Sequence, residues 1–301
     1  MNTTKNKLTL KNQLSSVITI DPEFLKTCII PRSLDSKKGD NGTVLIVGGN
    51  RIYHGAPILA SLSALRSGTD LVYTAVPRSN IIPVRSSSPN IIALPLADDK
   101  LTVGSANRLV AMLPKKPEAA AIGMGLTIAK PEALWTLVRG LRSLGTKLVL
   151  DASALIPSIL SQIDNTETIV TPHSGEFKRI FGEVVGDSRD ERISNVHKTA
   201  KHHGITIILK GWIDIVSSSE RIAVNTTHNC GMTVGGTGDV LSGLVSGLLS
   251  KYAPFEAAML GVFINGSAGN LALKKMGLHL VATDLISNIP DAMRPFDLVK
   301  K

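Results

Sequence analysis

Short aliphatic runs alternate with helical periodicity along most of this 301-residue chain, and that alternation limits the folds open to it. Thr43-Val44-Leu45-Ile46-Val47 is a β-rich run closed by Gly48-Gly49. Ala56 to Arg66 follows with Ile58, Leu59, Leu62 and Leu65 on one helical face, and Gly68 ends it. Leu71 to Val76, stopped by Pro77, predicts the next strand. Ala119 to Ile122 predicts another, followed by a helix from Pro131 to Leu144 with proline at its start and Gly145 past its end. Lys147 to Leu150 reads as a strand with Asp151 at its carboxyl end, and Thr168 to Thr171 as one stopped by Pro172. Ser188 to His203 is a helix and Ile205 to Lys210 a strand. Asp214 to Val216 and Arg221 to Val224 flank Ser-Ser-Ser-Glu and predict an antiparallel hairpin at a sheet edge. The last third reads as helices over Asp239–Leu249, Glu256–Lys275 and from Thr283 to Ile289 or beyond. Strands alternating with helices build a mostly parallel sheet covered on both faces, an α/β fold in three layers.

Composition agrees. Hydrophobic residues make up 43% of the chain and charged residues 19%, enough apolar material for a large core and too much for a disordered chain. Aromatics are only 4%, so the buried strands are aliphatic, as in parallel sheets. No internal repeat or low-complexity linker divides the chain. Residues 1–38 are expected to be a leader packing on the domain through the apolar patch Phe24 to Ile30, and residues 39–301 the domain itself. The net charge of +9 suits an anionic small molecule better than nucleic acid, because the basic residues are scattered; the densest run is Lys5, Lys7 and Lys11, with Lys37 and Lys38 later. Two cysteines, Cys28 and Cys230, imply no disulfide scaffold. With a polar N-terminus and no long uncharged apolar stretch, the expectation is a cytoplasmic protein without a membrane span.

Chemistry concentrates in four segments at expected strand ends, where ligands bind in such sheets. The densest is Gly235-Gly236-Thr237-Gly238-Asp239. Its glycines let backbone N–H groups converge, and a helix begins at once. A helix start presents free N–H donors and partial positive charge, so Gly236, Thr237 and Gly238 form a candidate anion hole with Asp239 as a base beside it. An ordinary first-turn aspartate accounts for Asp239 but not for the glycines. In Thr171-Pro172-His173-Ser174-Gly175-Glu176, Ser174 or Thr171 can cap the following helix and Glu176 suits its first turn; His173 is equally open to a loop role and a functional one. Leu209-Lys210-Gly211 places a lysine at a strand end, able to reach a polyphosphate or simply to stand in solvent. Gly48-Gly49-Asn50-Arg51-Ile52-Tyr53-His54-Gly55-Ala56-Pro57 directs a second helix start at the same rim. The chain has no Walker A loop, no GxSxG elbow and no HExxH, and Gly123-Met124-Gly125 lacks the third glycine of a dinucleotide fingerprint because Ile128 stands there.

Taken in order, Lys38 to Pro57, Gly123 to Leu126, Leu150-Asp151-Ala152, Thr171 to Glu176, Leu209 to Gly211 and Gly235 to Asp239 resemble the nucleotide-dependent NAD(P)H-hydrate dehydratases, over about residues 30 to 292. The resemblance implies a three-layer ribokinase-like fold. It implies a hydro-lyase that repairs hydrated NADH and NADPH of the S epimer with ADP, or ATP, as co-substrate and Mg2+ as the usual metal, its ligands unassigned. The nucleotide's terminal phosphoryl goes to the ring hydroxyl, phosphate departs, and the double bond returns. By matching position, Asp239 is the base on the hydrate's hydroxyl. Ala56, Gly125 and His173 contact the hydrated dinucleotide. Lys210, Gly211, Trp212, Ile213, Asp214 and Gly238 line the nucleotide site. A homo-oligomer, a tetramer by this likeness, is also implied, together with a separate epimerase, since the leader is too short to hold one. The alternative is a small-molecule kinase of the same superfamily, of the hydroxyethylthiazole or hydroxymethylpyrimidine kinase type.

Overall fold

A computed structural model describes residues 17–300. Lys5, Lys7 and Lys11 lie outside the described residues, as do the first 16 residues of the expected leader.

The strands, numbered along the chain, are β1 (Ile18–Thr19), β2 (Arg32–Ser33), β3 (Thr43–Val47), β4 (Leu71–Pro77), β5 (Ile91–Leu96), β6 (Ala119–Ile122), β7 (Lys147–Leu150), β8 (Thr168–Val170), β9 (Thr206–Leu209), β10 (Asp214–Ser217), β11 (Ile222–Asn225) and β12 (Val299–Lys300). Ten of them form one sheet in the order β1-β11-β10-β9-β8-β7-β6-β3-β4-β5. Every neighbouring pair from β9 to β5 is parallel, and β10 runs antiparallel to both β9 and β11, as the hairpin reading expects. β12 and β2 form a separate parallel pair.

Side-chain alternation sorts the core into two layers. Val44 and Ile46 of β3 face the helices Gly55–Arg66, Thr237–Leu249, Pro254–Met276 and Ala282–Met293, whereas Leu45 and Val47 face Val103–Met112, Pro131–Ser143, Ser174–Phe181 and Arg189–His203. All five residues of β3 are buried, the signature of a parallel strand covered on both sides.

From β3 the chain winds outward through β4 and β5, then returns to β6 on the other side and continues to β9. The switch between β3 and β6 opens a crevice beyond their carboxyl ends, where the two Gly-rich loops meet. Gly49 N–H donates to the carbonyl of Met124 across it at 2.8 Å.

Two details differ from the sequence-based expectation. In the helix Gly55–Arg66 the fully buried face is the small one, with Ala60, Ser61, Ser63 and Ala64, while Ile58, Leu59, Leu62 and Leu65 are partly covered. The reason is close helix packing: a Cβ on Gly243 would lie 2.0 Å from the Ala60 carbonyl oxygen, and one on Gly247 1.9 Å from Ser67 Oγ. Glycine there lets the helix carrying Asp239 lie against its neighbour. The second is the stretch 81–112, which holds the helices Ile81–Ser87 and Val103–Met112 and the edge strand β5. Pro83 and Pro95 mask its periodicity, and Pro95 is tolerated because β5 is an edge strand.

Part of the stretch read as a leader belongs to the sheet. β1 pairs with β11, Leu25 is fully buried, and Phe24, Cys28 and Ile29 pack on the same core.

Candidate active site

The helix Thr237–Leu249 starts at Gly236, whose φ of +97° is natural only for glycine, and no side chain caps it. Its first N–H groups are therefore free for an outside acceptor. The hydroxyl of Thr237 donates to the carbonyls of Met232 (2.9 Å) and Val234 (3.2 Å), so it pins the loop, and only its backbone N–H is available to an anion. The helix Ser174–Phe181 is closed by contrast. Nδ1 of His173 accepts from Gly175 N–H at 3.0 Å and Glu176 N–H at 3.3 Å, and Glu176 Oε2 accepts from His173 N–H at 3.0 Å. The cap is thus His173, where the sequence suggested Ser174 or Thr171. Thr171 is buried, its hydroxyl directed at the Leu150 carbonyl, and Ser174 accepts from an arginine. The His173 ring remains largely exposed, free to meet a ligand at the rim.

Beneath the open helix start lies a cluster of charges. Lys210 Nζ, at the end of β9, donates to Asp151 Oδ1 at 3.0 Å and stands 3.6 Å from Glu176 Oε2. Ser242, one turn after Asp239, donates its hydroxyl to Asp151 Oδ2 at 2.6 Å. A Cβ on Gly238 would be 3.7 Å from Lys210 Nζ, so the ammonium sits directly under the glycine. Burial works against the charge of Lys210, but Asp151, Glu176 and Asp239 together hold its pKa above the usual lysine range. Burial likewise works against Asp151, yet Lys210 and the Ser242 hydroxyl keep it ionised with a lowered pKa. Asp239 has no such support. Burial, then the facing charge of Asp151, push it up to about 7, against only the pull of Lys210. A carboxylate poised near neutrality is what a general base requires.

The crevice side is built by glycine. Gly125 has a φ of +64°, and a Cβ there would sit 2.7 Å from Tyr53 Cβ and 3.4 Å from Ala56 Cβ. Gly125 and Ala56 thus share one wall. The Lys210-to-Asp214 segment is more divided. Trp212 is exposed and Gly211 lies at the surface, but Ile213 is buried among the hydrophobic residues of the core, so its side chain does not line the site. Asp214 braces the turn, accepting from Gly211 N–H at 3.4 Å and Asn225 Nδ2 at 3.1 Å, with burial raising its pKa. His228 hydrogen-bonds the Trp212 carbonyl. From sequence Glu176 and Ser242 have no site role, and Asp151 stands out at a strand's carboxyl end without a role of its own. An acid at a strand end signals Asp151, but only the sheet order brings it to Lys210. Among the described residues, no group of three or more His, Cys, Asp or Glu side chains forms a metal cage.

A parallel sheet with a crevice at its switch point, an uncapped helix start over a lysine and a near-neutral aspartate together define a ribokinase-like enzyme that handles nucleotide phosphates. The model of the NAD(P)H-hydrate dehydratase family matches residues 44–291, and the chain belongs to that family. It is 52% identical over 282 residues to the ADP-dependent (S)-NAD(P)H-hydrate dehydratase of Nitrosopumilus maritimus, covering 93% of this chain and 98% of that protein. It is 49% identical over 279 residues to the enzyme of the same name from Cenarchaeum symbiosum, covering 92% and 97%. Among solved structures, the ADP/ATP-dependent NAD(P)H-hydrate dehydratase of Bacillus subtilis, co-crystallised with ATP and Mg2+, superposes with a TM-score of 0.81 at 26% identity, covering 93% of this chain and 99% of that one.

Proposed function

We infer that this enzyme is a hydro-lyase that dehydrates the S epimer of hydrated NADH and NADPH with ADP, releasing AMP and phosphate. The observation that carries the reading is Asp239, held near neutrality in the first turn of an uncapped helix and facing Lys210. The terminal phosphoryl group lies at the free N–H groups of Gly236, Thr237 and Gly238, with Lys210 below. Asp239 takes the proton of the ring hydroxyl as its oxygen bonds to phosphorus and the bond to the AMP oxygen breaks. Phosphate then leaves the ring carbon, a proton leaves the neighbouring carbon, and the double bond returns. Ala56 and Gly125 wall the dinucleotide, and the exposed ring of His173 closes its rim. Lys210, Gly211, Trp212 and Asp214 hold the nucleotide with Gly238, Ile213 contributing its backbone alone.

Magnesium does not fit as a protein-caged ion here. Both oxygens of Asp151 are engaged, and Glu176 is tied to His173 N–H. Any Mg2+ used here would therefore have to be held chiefly by nucleotide phosphates and water. Residues 39–301 form the catalytic unit in this reading, which also includes a cytoplasmic location, a homo-oligomer and a separate epimerase that supplies the S form. Among the described residues, no helix is long and apolar enough to cross a membrane.

The test is a repair assay run side by side with ADP and with ATP. Return of the reduced-nicotinamide absorbance with ADP supports the reading. A stable phosphorylated product would point instead to the superfamily's metabolite kinases.

A further inference from the structure

Arg192, in the first turn of the helix Arg189–His203, is only 7% exposed and has no carboxylate within ion-pair distance among the described residues. A guanidinium carries five N–H donors. Among the described residues, its one side-chain hydrogen bond is from Nη1 to Ser174 Oγ, at 3.2 Å, and its buried Nε–H has no acceptor. Burial lowers its pKa with nothing opposite to offset the effect. A buried cation left without a counter-charge is costly, and its persistence calls for a partner that is not part of the chain.

The geometry shows where that partner binds. A Cβ on Gly211 would lie 2.9 Å from Nη2 of Arg192, so the guanidinium edge lies directly under the exposed Lys210-Gly211 turn. Any side chain at 211 would cover it. Ser174, its other neighbour, is exposed at the start of the helix capped by His173. Lys210 Nζ lies beside Gly238 and within the electrostatic reach of Asp239, where the phosphoryl group is transferred in the reaction proposed above. One cation is thus carried by the turn itself at Lys210, and the other reaches it from the helix Arg189–His203 beneath Gly211.

We propose that Arg192 is a nucleotide-binding residue whose guanidinium holds the phosphate that stays with the nucleotide, while Lys210 serves the phosphate that is transferred. The planar fork suits paired phosphate oxygens, which a lysine cannot match. The proposal rests on the nucleotide-dependent reading of the site, and it adds a ligand contact outside the Gly-rich helix start.

The experiment is calorimetric titration of the full-length protein with ADP, AMP and adenosine, for the wild type, Arg192→Met and Arg192→Lys. Arg192→Met is expected to weaken ADP and AMP binding alike, by about 10- to 100-fold, and to leave adenosine unchanged. Arg192→Lys should recover part of the loss. The melting temperature of ligand-free Arg192→Met should hold or rise, because an uncompensated buried charge is removed. A fall in melting temperature with unchanged ADP affinity would make Arg192 a structural residue and overturn the proposal. Weakening of ADP alone would place Arg192 on the transferred phosphate and overturn the assignment, and equal weakening of adenosine would do so too. Wild-type protein that binds ADP but restores no hydrated NADH would count against the proposed reaction and not against Arg192. Wild-type protein that binds no ADP would overturn both.

Discussion

Lys210 Nζ lies 3.0 Å from Asp151 Oδ1, although 59 positions separate the two residues in the chain. They come from the ends of β9 and β7, with β8 between them. Asp151 is 3% exposed, and its second oxygen is held by Ser242 of the helix that carries Asp239. The pair therefore links three segments of the site. Breaking it from one side leaves a buried charge, which typically costs about 3–5 kcal/mol. Lys210→Met should destabilise the protein by that order in chemical denaturation. The double variant Lys210→Met/Asp151→Asn should recover part of the loss, because Asp151, the lysine's hydrogen-bonded partner, is then no longer a buried unpaired carboxylate.

Asp239→Asn removes the proposed base while keeping the side chain's size. Turnover of hydrated NADH should fall by about 10²–10⁴-fold. ADP affinity, read by calorimetry, should stay within a few-fold of wild type. Equal loss of binding and turnover would argue for a structural role.

The pH dependence follows from a base with a pKa of about 7. It must be ionised to act, so kcat/KM should fall about tenfold per unit as pH drops below that value. Asp151→Asn removes the charge that opposes ionisation of Asp239, and the acidic limb should move to lower pH. A limb that stays in place would remove Asp151 from the electrostatics of the base.

The same shift affects stability. The pKa of Asp239 rises on folding from its ordinary 3.8 to about 7. Between those values the folded state binds more protons than the unfolded one, so stability falls as pH rises through that window. Asn at this position does not titrate. The stability of Asp239→Asn relative to wild type should therefore grow between about pH 5 and about pH 8, by on the order of 2–3 kcal/mol. Denaturation curves at both pH values check this. Such a gain fits the trade between stability and activity expected at active sites.

Two glycine substitutions separate fold from site. Gly123 has a φ of +125°, and a Cβ there would lie 1.9 Å from the Asp151 carbonyl oxygen, so Gly123→Ala should lower the melting temperature sharply. At Gly238 the nearest atom to an added Cβ is Lys210 Nζ at 3.7 Å, ordinary contact distance. Gly238→Ala should fold normally and still raise the KM for ADP by about tenfold or more, because the methyl group occupies the anion's space.

Much of this was legible beforehand for definite reasons. Buried aliphatic strands such as β3 and β9 announce themselves by composition, and the helix Thr237–Leu249 by the glycines before it. The edge strand β5 was hidden because half of it faces solvent and Pro95 interrupts its pattern. From sequence His173 is an open choice between loop and ligand, and the structure has it capping its helix through Nδ1 while the ring stays exposed. No local pattern gives a histidine cap, since it depends on the ring's orientation. The resemblance places Ile213 among the nucleotide residues by matching position, but in the bend that leads into β10 its side chain packs into the core.

Local chemistry in the sequence therefore determined the alternation of elements, the Gly-rich helix start and the presence of an acid within its first turn. Those depend on neighbours a few residues apart, whose backbone preferences and hydrogen bonding are written in order along the chain. Tertiary structure alone decided that Asp151, Lys210 and Ser242 meet beneath Asp239, and that the Arg192 guanidinium lies behind Gly211 with no carboxylate partner among the described residues. Strand order and burial set which charges face one another and how dry they are. Coulomb interactions and desolvation act through those distances, regardless of separation along the chain.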